Sequence, residues 1–556
     1  MTLSNLFRPR VLACCAGLLA GAPSLRAQGT ALVPPSDLVY ADIDRLSELG
    51  ILDSVMIGQR PYSRREIGRI VRAARDRLDG RPGTRTPFAD EVTAYASDLL
   101  RRLDRFADAA DVASFSEPII RLVDGASLTA TSTDADRRGF PAVHTKPIEA
   151  TIDPLNERRL GTPAVRGQLL ALELSHRMDP SGWLSIQARE RVETRRPDDT
   201  TLARTKIELL LASVRARYRN VALTIGRQQF AWSQSANDGL FLASDAPALD
   251  QISLAGDRPF VLPGLLRYLG PTQTTIIVAD LGASVSRSHS KLLTYKVSVQ
   301  PTSSLELGGT FMNHFGGKGG RTSSSIDRLI DFLPFIDVFR KHNYTDTTKS
   351  FDVDSDKLLG VDGRLRIAAL GGVTLTGELL IDDFDVNRIP KLLTGYGSQT
   401  FGLTLPRIGS PALSMKLSAK HMGTITYSHN ALLDGITTRG RLLGEELGPD
   451  AKSFSAQLRW EPTLGARLEI EGRSAIYSNA AYAGFYSDSA HRRLVVQKVS
   501  HTPNELRDLL IASLILQSND GIAVTARGGA ERTRNANFQG GRRRDYVAQI
   551  AIRIGQ

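Results

Sequence analysis

Over most of the chain, apolar and polar residues alternate with a period of two. From about Ile119 to the C terminus, segments such as 184–192, 295–300, 413–420 and 546–554 place apolar side chains on one face and polar side chains on the other. This alternation is typical of β-strands, whose successive side chains point to opposite sides of the sheet. Short polar turns, for example 179–182 and 519–521, separate many of the segments. The pattern therefore predicts a large antiparallel sheet.

The sheet could form a soluble sandwich, because alternation with one polar face fits that fold too. A membrane-spanning barrel is favoured because the strands are long, roughly 9–12 residues, which is the length a tilted strand needs to cross a bilayer. Short turns also alternate with long irregular connections, and the polar face carries both arginine and glutamate, as a wet interior would. Residues 111–556 are therefore predicted to form a transmembrane antiparallel β-barrel of about 18 strands.

In such a barrel the charged half of each repeat points into the lumen. A charge that faces lipid at the bilayer midplane costs about 2–4 kcal/mol, so the alternation assigns the direction of these side chains. We expect them to form ladders of ion pairs along the wall. The predicted lumen-lining residues are Arg189, Arg191, Arg364, Arg366, Arg467, Glu469, Glu471 and Arg473.

Three long connections are predicted to be extracellular loops, at 228–271, 316–356 and 428–452. The first begins in a stretch, 225–260, that shows no clear strand or helix periodicity. Structureless segments of this length are uncommon in compact domains and usually carry function or are disordered. Apolar residues such as Leu240, Leu249 and Leu254 recur through it. We therefore expect an ordered loop that packs against the sheet.

Residues 37–110 show helical periodicity instead. Ser63 and Glu66 match a capping box, and an apolar stripe follows it to Leu78. Two further stripes lie at 43–49 and 92–103. This small helical subdomain, preceded by a linker at 28–36, is predicted to be a plug or cap on the main body. A partner-binding module is the alternative.

The N terminus predicts export. Residues 1–27 combine Arg8 and Arg10 with an apolar core and a small residue before Gln28, as a cleavable signal peptide does. Both cysteines, Cys14 and Cys15, lie inside this segment, so the mature chain is expected to fold without disulfides. The net charge is +11, and only three arginines belong to the signal peptide. The surplus suits an acidic polymer or an arginine-rich solvated surface, whereas export disfavours nucleic acid.

Three motifs occur in order between residues 232 and 450. The first contains Trp232, Gly239-Leu240, Leu242, Ser244 and Ala246-Pro247, and the second leads from 305–308 into the glycine loop 315–319. The third contains Tyr427-Ser428-His429 followed by Arg439-Gly440-Arg441. The set resembles the Wzi family of capsule-associated outer-membrane proteins, although Ser233-Gln234-Ser235 replaces the family's Gly-Pro-Gly. The resemblance implies an 18-stranded barrel, a periplasmic helical bundle, loops that close the pore, and a role in attaching or assembling surface polysaccharide.

No catalytic constellation is evident. The sequence has no G-x-S-x-G or H-E-x-x-H motif, and no cysteine in the mature chain to act as a nucleophile or zinc ligand. The acidic pairs Asp382-Asp383 and Glu445-Glu446 suit exposed loop acids better than a glycoside hydrolase pair. The chain is therefore interpreted as a non-enzyme without cofactor or metal.

A polysaccharide site needs forked donors and an aromatic ring, because arginine pairs bidentately with uronic acid carboxylates and a flat ring stacks on sugars. Trp232 could instead be a loop-core residue, and the Asn-Asp pair could simply form a turn. The candidate binding residues are Trp232, Asn237, Asp238, Arg258, Tyr427, His429, Arg439 and Arg441.

The leading functional prediction is an outer-membrane barrel that binds surface polysaccharide and helps to assemble or retain it at the cell surface. The polysaccharide is either capsular polysaccharide or exopolysaccharide, and acidic types are included. Its expected partners are that polysaccharide, outer-membrane lipid and a periplasmic capsule-export protein, and it is expected to be a monomer. A porin-like diffusion channel is the alternative, since 16–18 strands can enclose an aqueous pore. An enzyme acting on glycan or lipid is the third possibility.

Overall fold

Eighteen antiparallel strands form a closed barrel in the computed structural model. Each strand pairs with its neighbours in chain order, and β18 pairs with β1 to close the sheet. The strands β1 to β18 are Ile119–Thr133, Gly167–Ser181, Leu184–Arg196, Arg204–Tyr218, Val221–Gln228, Leu249–Gly256, Pro271–Asp280, Lys291–Thr302, Leu305–Phe315, Ser355–Ile367, Val373–Asp382, Ser398–Leu405, Leu413–Met422, Ala451–Thr463, Ala466–Tyr477, Glu505–Gln517, Ala523–Arg534 and Arg542–Gly555. The predicted fold class is confirmed.

The description covers most of the chain and leaves out several segments. The structure describes residues 30–53, 55–80, 88–110, 118–135, 138–139, 151–152, 166–196, 204–234, 239–319, 355–382, 397–428, 432, 434–463, 465–478, 482–485, 494–496 and 503–555. The predicted signal peptide and most of the predicted loop 316–356 lie outside these residues.

The two ends of the barrel differ. At one end, the short-turn end, strands are joined by tight connections such as 182–183, 303–304 and 464–465. At the other, the long-loop end, β5 and β6 are joined by residues 229–248 and β13 and β14 by residues 423–450. Because the strand number is even, the chain enters and leaves the barrel at the same end, so the N-terminal helices and Gly555 both lie at the short-turn end.

The wall has an apolar outside and a polar inside. Along β8, Val297 is exposed on the outer face, whereas its neighbours Lys296 and Ser298 are buried in the interior. In β18, Tyr546 and Ile550 are likewise exposed, and Asp545 is buried. Period-two alternation thus separates the two faces as the sequence predicts.

The predicted lumen residues lie on the inner face, and Arg191, Arg467 and Glu469 make ion pairs there. Arg191 and Glu173 are cross-strand partners, with Nη2 of Arg191 2.6 Å from Oε1 of Glu173. Arg467 pairs with Glu469 along β15 at 3.0 Å. The remaining predicted residues share this inner face through the same alternation; they are Arg189, Arg364, Arg366, Glu471 and Arg473.

Three helices form where the apolar stripes predict them. They are α1, Val39–Glu48, α2, Arg64–Leu78, and α3, Asp90–Leu103, followed by a 3-10 helix at Asp104–Ala110. Ser63 caps α2 by accepting a hydrogen bond from the Glu66 backbone N–H, as the capping box predicts. Their shared core includes Ile43, Ile67 and Leu99. None of these described helices is long and apolar enough to span a bilayer.

The helical subdomain occupies the short-turn mouth of the barrel. Arg102 of α3 donates to Asp42 of α1 at 2.8 Å and to Glu461 of β14 at 2.5 Å. Arg366 of β10 donates to the Glu48 and Leu49 carbonyls at the end of α1. The subdomain therefore packs against the wall at this mouth, and we refer to it as the helical plug.

The predicted linker 28–36 is wrong for the residues from Thr30 onward. Ala31, Leu32 and Val33 are buried, and Leu32 forms a β-bridge with Ser63. The Gln187 side chain of β3 bonds both the N–H and the carbonyl of Leu32, each at 2.9 Å. These apolar side chains can be buried because the wall supplies hydrogen-bond partners for the Leu32 backbone.

The predicted single loop 228–271 is also wrong, because it contains the barrel strand β6. This strand pairs with both β5 and β7. Its alternation is short: Gln251 and Ser253 are buried inside while Leu254 is exposed outside. The third loop was predicted at 428–452, and in the structure the connection between β13 and β14 covers residues 423–450.

Candidate functional site

The loop that follows β5 folds back into the barrel. Ala231 exchanges two backbone hydrogen bonds with Arg60 of the N-terminal subdomain, at 2.9 and 3.0 Å. Further along, the Trp232 N–H donates to the Leu242 carbonyl, which closes the described part of the loop on itself. The long-loop end and the helical plug therefore meet inside the lumen.

Three carboxylates of the wall hold this meeting point. Glu306 of β9 accepts the backbone N–H groups of Ile57 and Gly58 at 3.0 and 2.9 Å, and Nε2 of Gln234 at 3.2 Å. Glu378 of β11 accepts the backbone N–H groups of Gln234 and Leu240 at 3.2 and 3.0 Å. The third is Asp362 of β10, which accepts Nε2 of Gln234 at 2.6 Å and Nζ of Lys296 at 2.5 Å. Plug and loop are fixed to the same side of the barrel.

An apolar core lies between the loop 229–248 and the loop 423–450. Trp232, only 1% exposed, packs edge-on against Phe230 at a centroid distance of 6.5 Å. The core continues through Leu240, Leu443 and Leu447. The Ala243 N–H donates to the Leu443 carbonyl at 2.8 Å and joins the two loops directly. This core forms the floor of the long-loop end.

Tyr427 is the hub of this floor. Its hydroxyl donates to the Leu240 carbonyl at 2.6 Å and accepts from the Glu445 N–H at 3.0 Å, while its own N–H donates to Asp382 at 2.6 Å. Burial raises the pKa of the Tyr427 hydroxyl well above its usual value, so the phenol stays protonated and can donate. Gly444 has no space for a Cβ, which would lie 2.4 Å from the Tyr427 hydroxyl.

The two predicted arginines of the loop 423–450 have different surroundings. Arg441 is buried and pairs with Glu446, so it belongs to the floor. Arg439 is 30% exposed, and its Nη1 lies 3.8 Å from Oε1 of Glu208. Burial lowers the pKa of Arg439, and the neighbouring Arg227 adds to that effect. Arg439 is thus a partly exposed cation that lies close to a second cation, Arg227.

Basic side chains from the adjacent loops extend this boundary. The β7–β8 loop is tied to the loop 423–450, because the Thr438 hydroxyl donates to the Leu281 carbonyl at 2.9 Å. His289 and Lys291 gather around Asp280, with Nζ of Lys291 2.6 Å from its Oδ2. Lys318 is exposed, and its N–H donates to the Ser288 carbonyl. We name the set the long-loop basic surface: Arg227, Arg287, His289, Lys291, Lys318 and Arg439.

Most members of this surface were not predicted from the sequence. The signal is present in 286–291, where serine alternates with arginine, histidine and lysine between two strands. The acids here are already engaged: Arg227 holds Asp250 at 2.6 Å and Lys206 holds Glu208 at 2.8 Å. Arg439 and Lys318 therefore leave the surface with positive charge to offer a ligand.

One predicted binding residue lies at the wrong end. Arg258 follows β6 at the short-turn end, where its N–H donates to the Asn220 side chain at 3.0 Å and its carbonyl accepts from the same amide at 2.8 Å. It cannot join Arg439, because the whole length of β6 separates the two ends. This error follows from missing β6. Asn237, Asp238 and His429 lie outside the described residues.

The described part of the lumen is filled from both ends. The helical plug and the infolded loops leave a cavity of about 260 Å³ beside β13 to β18, lined by charged groups that include Lys416, Arg459 and Arg467. Within the described ranges, no group of three or more His, Cys, Asp or Glu side chains is arranged to hold a metal ion. The geometry suits binding at an end of the barrel better than transport through it.

Comparison with known proteins agrees with this architecture. Residues 150–547 match the model of the family described as capsule assembly protein Wzi. The outer-membrane protein Wzi of Escherichia coli, whose structure is described as a carbohydrate-binding β-barrel involved in group 1 capsule assembly, aligns with 95% of this chain and 99% of its own, at 15% identity and a TM-score of 0.64.

Another solved structure aligns with a lower TM-score. OccD3 of Pseudomonas aeruginosa aligns with 78% of this chain and 91% of its own, at 12% identity and a TM-score of 0.41. No curated protein sequence matches the chain significantly. The family match covers well over half of the residues. The chain belongs to the capsule assembly protein Wzi family.

Proposed function

We propose that this protein is an outer-membrane barrel that binds surface polysaccharide and helps to assemble or retain it at the cell surface. Family membership supports the capsule role. The E. coli neighbour, an outer-membrane protein that binds carbohydrate, supports the location and the ligand class. The exposed apolar band of the wall supports a lipid environment. An apolar surface of this size is not left in water and is covered by lipid or by another protein.

The orientation follows from the two ends. Outer-membrane barrels place short turns in the periplasm and long loops outside. The helical plug then lies in the periplasm, where it is also available to a capsule-export partner, and the long-loop basic surface faces the exterior. A signal peptide at 1–27 delivers the chain to this location. The protein acts as a monomer and as a binder, without a catalytic step.

The observation that carries the ligand assignment is the basic surface above a packed floor. Arginine and lysine side chains pair with the carboxylates of uronic acids, and a rigid support lowers the entropy lost on binding. Trp232, Tyr427 and Arg441 provide that support from below, and Arg439 contacts the ligand. Asn237, Asp238 and His429 remain candidates beside it on the sequence pattern. The filled interior gives the diffusion-channel alternative no support.

Binding can be tested with a charge-neutralising variant. The protein in detergent micelles is titrated with acidic polysaccharide purified from the same cells, and the long-loop triple variant Arg439→Ala/Lys291→Ala/Lys318→Ala is compared with wild type. We expect binding to weaken about tenfold or more and the wild-type affinity to fall with salt. An equal loss in Arg407→Ala, a variant at the short-turn end, or unchanged binding in the triple variant, would reject the site.

A cellular experiment tests the role itself. Deletion of the gene should raise the fraction of polysaccharide shed into the medium and lower the cell-bound fraction, without changing the total. The full-length protein should fractionate with outer membranes and show heat-modifiable migration. Unchanged cell-bound and shed fractions would contradict the retention role.

A further inference from the structure

Two neighbouring hairpins at the short-turn end carry the same exposed pair. In the β4–β5 turn, the Arg219 guanidinium lies 5.5 Å from the ring centroid of Tyr218. In the β6–β7 connection, Arg267 lies 5.0 Å from the ring of Tyr268 and donates to its hydroxyl at 3.1 Å. The tyrosines are 54% and 68% exposed. Because β5 pairs with β6, the two connections are neighbours on the barrel rim.

The second hairpin ends in an apolar tip. Phe260–Val261 extends the β6–β7 pairing, and a 3-10 helix at Gly264–Leu269 follows it. Leu265 is 86% exposed, and Val261 and Leu266 are also open. The tip leans on the neighbouring β8–β9 hairpin, since a Cβ on Gly270 would lie 2.0 Å from the Gln300 carbonyl oxygen. The tip thus places exposed leucines at the rim, at the end of a wall whose outer face carries the exposed Val214 and Leu254.

Behind the tip, arginines outnumber the acids available to them. Asp257 is buried and is shared by Arg65, Arg215 and Arg217, at 3.3, 3.1 and 3.8 Å. Arg258 lies close enough to repel Arg65 and to attract the Glu66 carboxylate. Burial lowers the pKa of Arg65, and repulsion from Arg217 and Arg258 lowers it further. An excess of arginine over Asp257 thus lies at this end of the barrel.

We propose that this rim, consisting of Tyr218, Arg219, Arg258, Arg267, Tyr268 and the apolar tip 261–269, binds an anionic phospholipid of the periplasmic leaflet. Arginine pairs with phosphate through a planar fork, tyrosine sits at the boundary between headgroups and acyl chains, and the leucines enter the acyl region. The exposed apolar side chains of the tip select a membrane lipid over a soluble anion, because a soluble anion would leave them in water. This site rests on the proposed outer-membrane location and assigns the rim a partner of its own.

The test uses the full-length protein in lipid nanodiscs that contain phosphatidylethanolamine with one-fifth phosphatidylglycerol. Lipids that stay bound after release are counted by native mass spectrometry. Wild type should retain phosphatidylglycerol in preference to phosphatidylethanolamine. The rim triple variant Arg219→Ala/Arg258→Ala/Arg267→Ala should lower that preference about tenfold or more, because each cation near an anionic membrane surface adds to the attraction. Leu265→Ser/Leu266→Ser should reduce retention while leaving the headgroup preference intact.

The long-loop triple variant is the matched control, since it removes the same number of positive charges at the opposite end. It should lose polysaccharide and keep the lipid, whereas the rim triple variant should keep polysaccharide and lose the lipid. If the long-loop triple variant keeps its polysaccharide binding, that result counts against the proposed function. The lipid result is then judged separately. Equal retention of both lipids by wild type, or unchanged preference in the rim variant with heat-modifiable migration intact, would overturn the rim site.

Discussion

At the scale of single residues, burial separates ligand contacts from their support. Tyr427 and Trp232 have the chemistry of sugar-stacking groups, yet both are 1% exposed. The Tyr427 hydroxyl instead joins Leu240, 187 positions away, to the Glu445 backbone. An aromatic residue in a glycine-rich loop can face a ligand or the loop core. Sequence spacing cannot decide between them, because the answer depends on such distant contacts.

Tyr427→Phe tests this supporting role. The substitution keeps the ring and leaves the Leu240 carbonyl and the Glu445 N–H without their partner in a buried site. We expect it to lower the free energy of unfolding by about 1–3 kcal/mol, the usual cost of buried unpaired polar groups. The measurement is urea unfolding in lipid vesicles. Tyr546→Phe, on the exposed outer face, is the matched control and should change stability by no more than about 0.5 kcal/mol. Equal effects would contradict the hub.

At the scale of elements, strands were predictable where each carried its own signal. The alternation of β3, β13 and β18 runs over ten or so residues, so apolar and charged positions assign the two faces without knowledge of the neighbours. The alternation of β6 is short and lies between two irregular connections, and its pairing with β5 and β7 is what makes it a strand. The same applies to 30–36, whose place depends on Gln187 of the distant β3.

The attachment of α1 to the wall predicts an acid-sensitive plug. Glu48, at the end of α1, lies 2.9 Å from Nζ of Lys416 on β13 and 3.1 Å from Nη1 of Arg45. Burial would raise the pKa of the Glu48 carboxyl, but Lys416 and Arg45 outweigh burial and lower it from 4.5 to about 2. Since the folded pKa is below the unfolded one, this group stabilises the fold above about pH 4.5, and the contribution is lost as pH falls toward 2.

Glu48→Gln should therefore destabilise the protein by up to about 3 kcal/mol at pH 7 and remove part of the fall in stability between pH 5 and pH 3. The measurement is the urea midpoint of the full-length protein at pH 7, 5 and 3. Glu91→Gln, at an exposed position of α3, should leave the pH profile unchanged. A parallel pH profile for Glu48→Gln and wild type would show that the pair does not hold the plug.

At the scale of the whole molecule, barrel, plug and loops form one closed object. The barrel and its helical N terminus follow from periodicity, which is a local property. Closure does not, because it depends on Glu306, Asp362 and Glu378, on three different strands, converging on Gln234 and on the segment 57–58. In the sequence these residues are ordinary alternating polar positions. Only the curvature of the closed sheet brings them together.

Closure from two ends predicts the electrical behaviour of the protein. An 18-stranded barrel is wide enough for an aqueous channel when nothing fills it. Removal of the helical subdomain, residues 30–110, leaves the infolded loop 229–248 in place, and replacement of 233–246 by a short glycine–serine linker leaves the plug. We expect each change alone to give small, flickering conductance in planar bilayers, and the two together to give steady conductance several times larger.

Each variant must first show heat-modifiable migration, so that a silent bilayer reports a closed barrel and not an unfolded one. Wild type should remain silent. Full conductance after one change would place the barrier in that element alone, and silence after both would show that the wall side chains close the lumen without either.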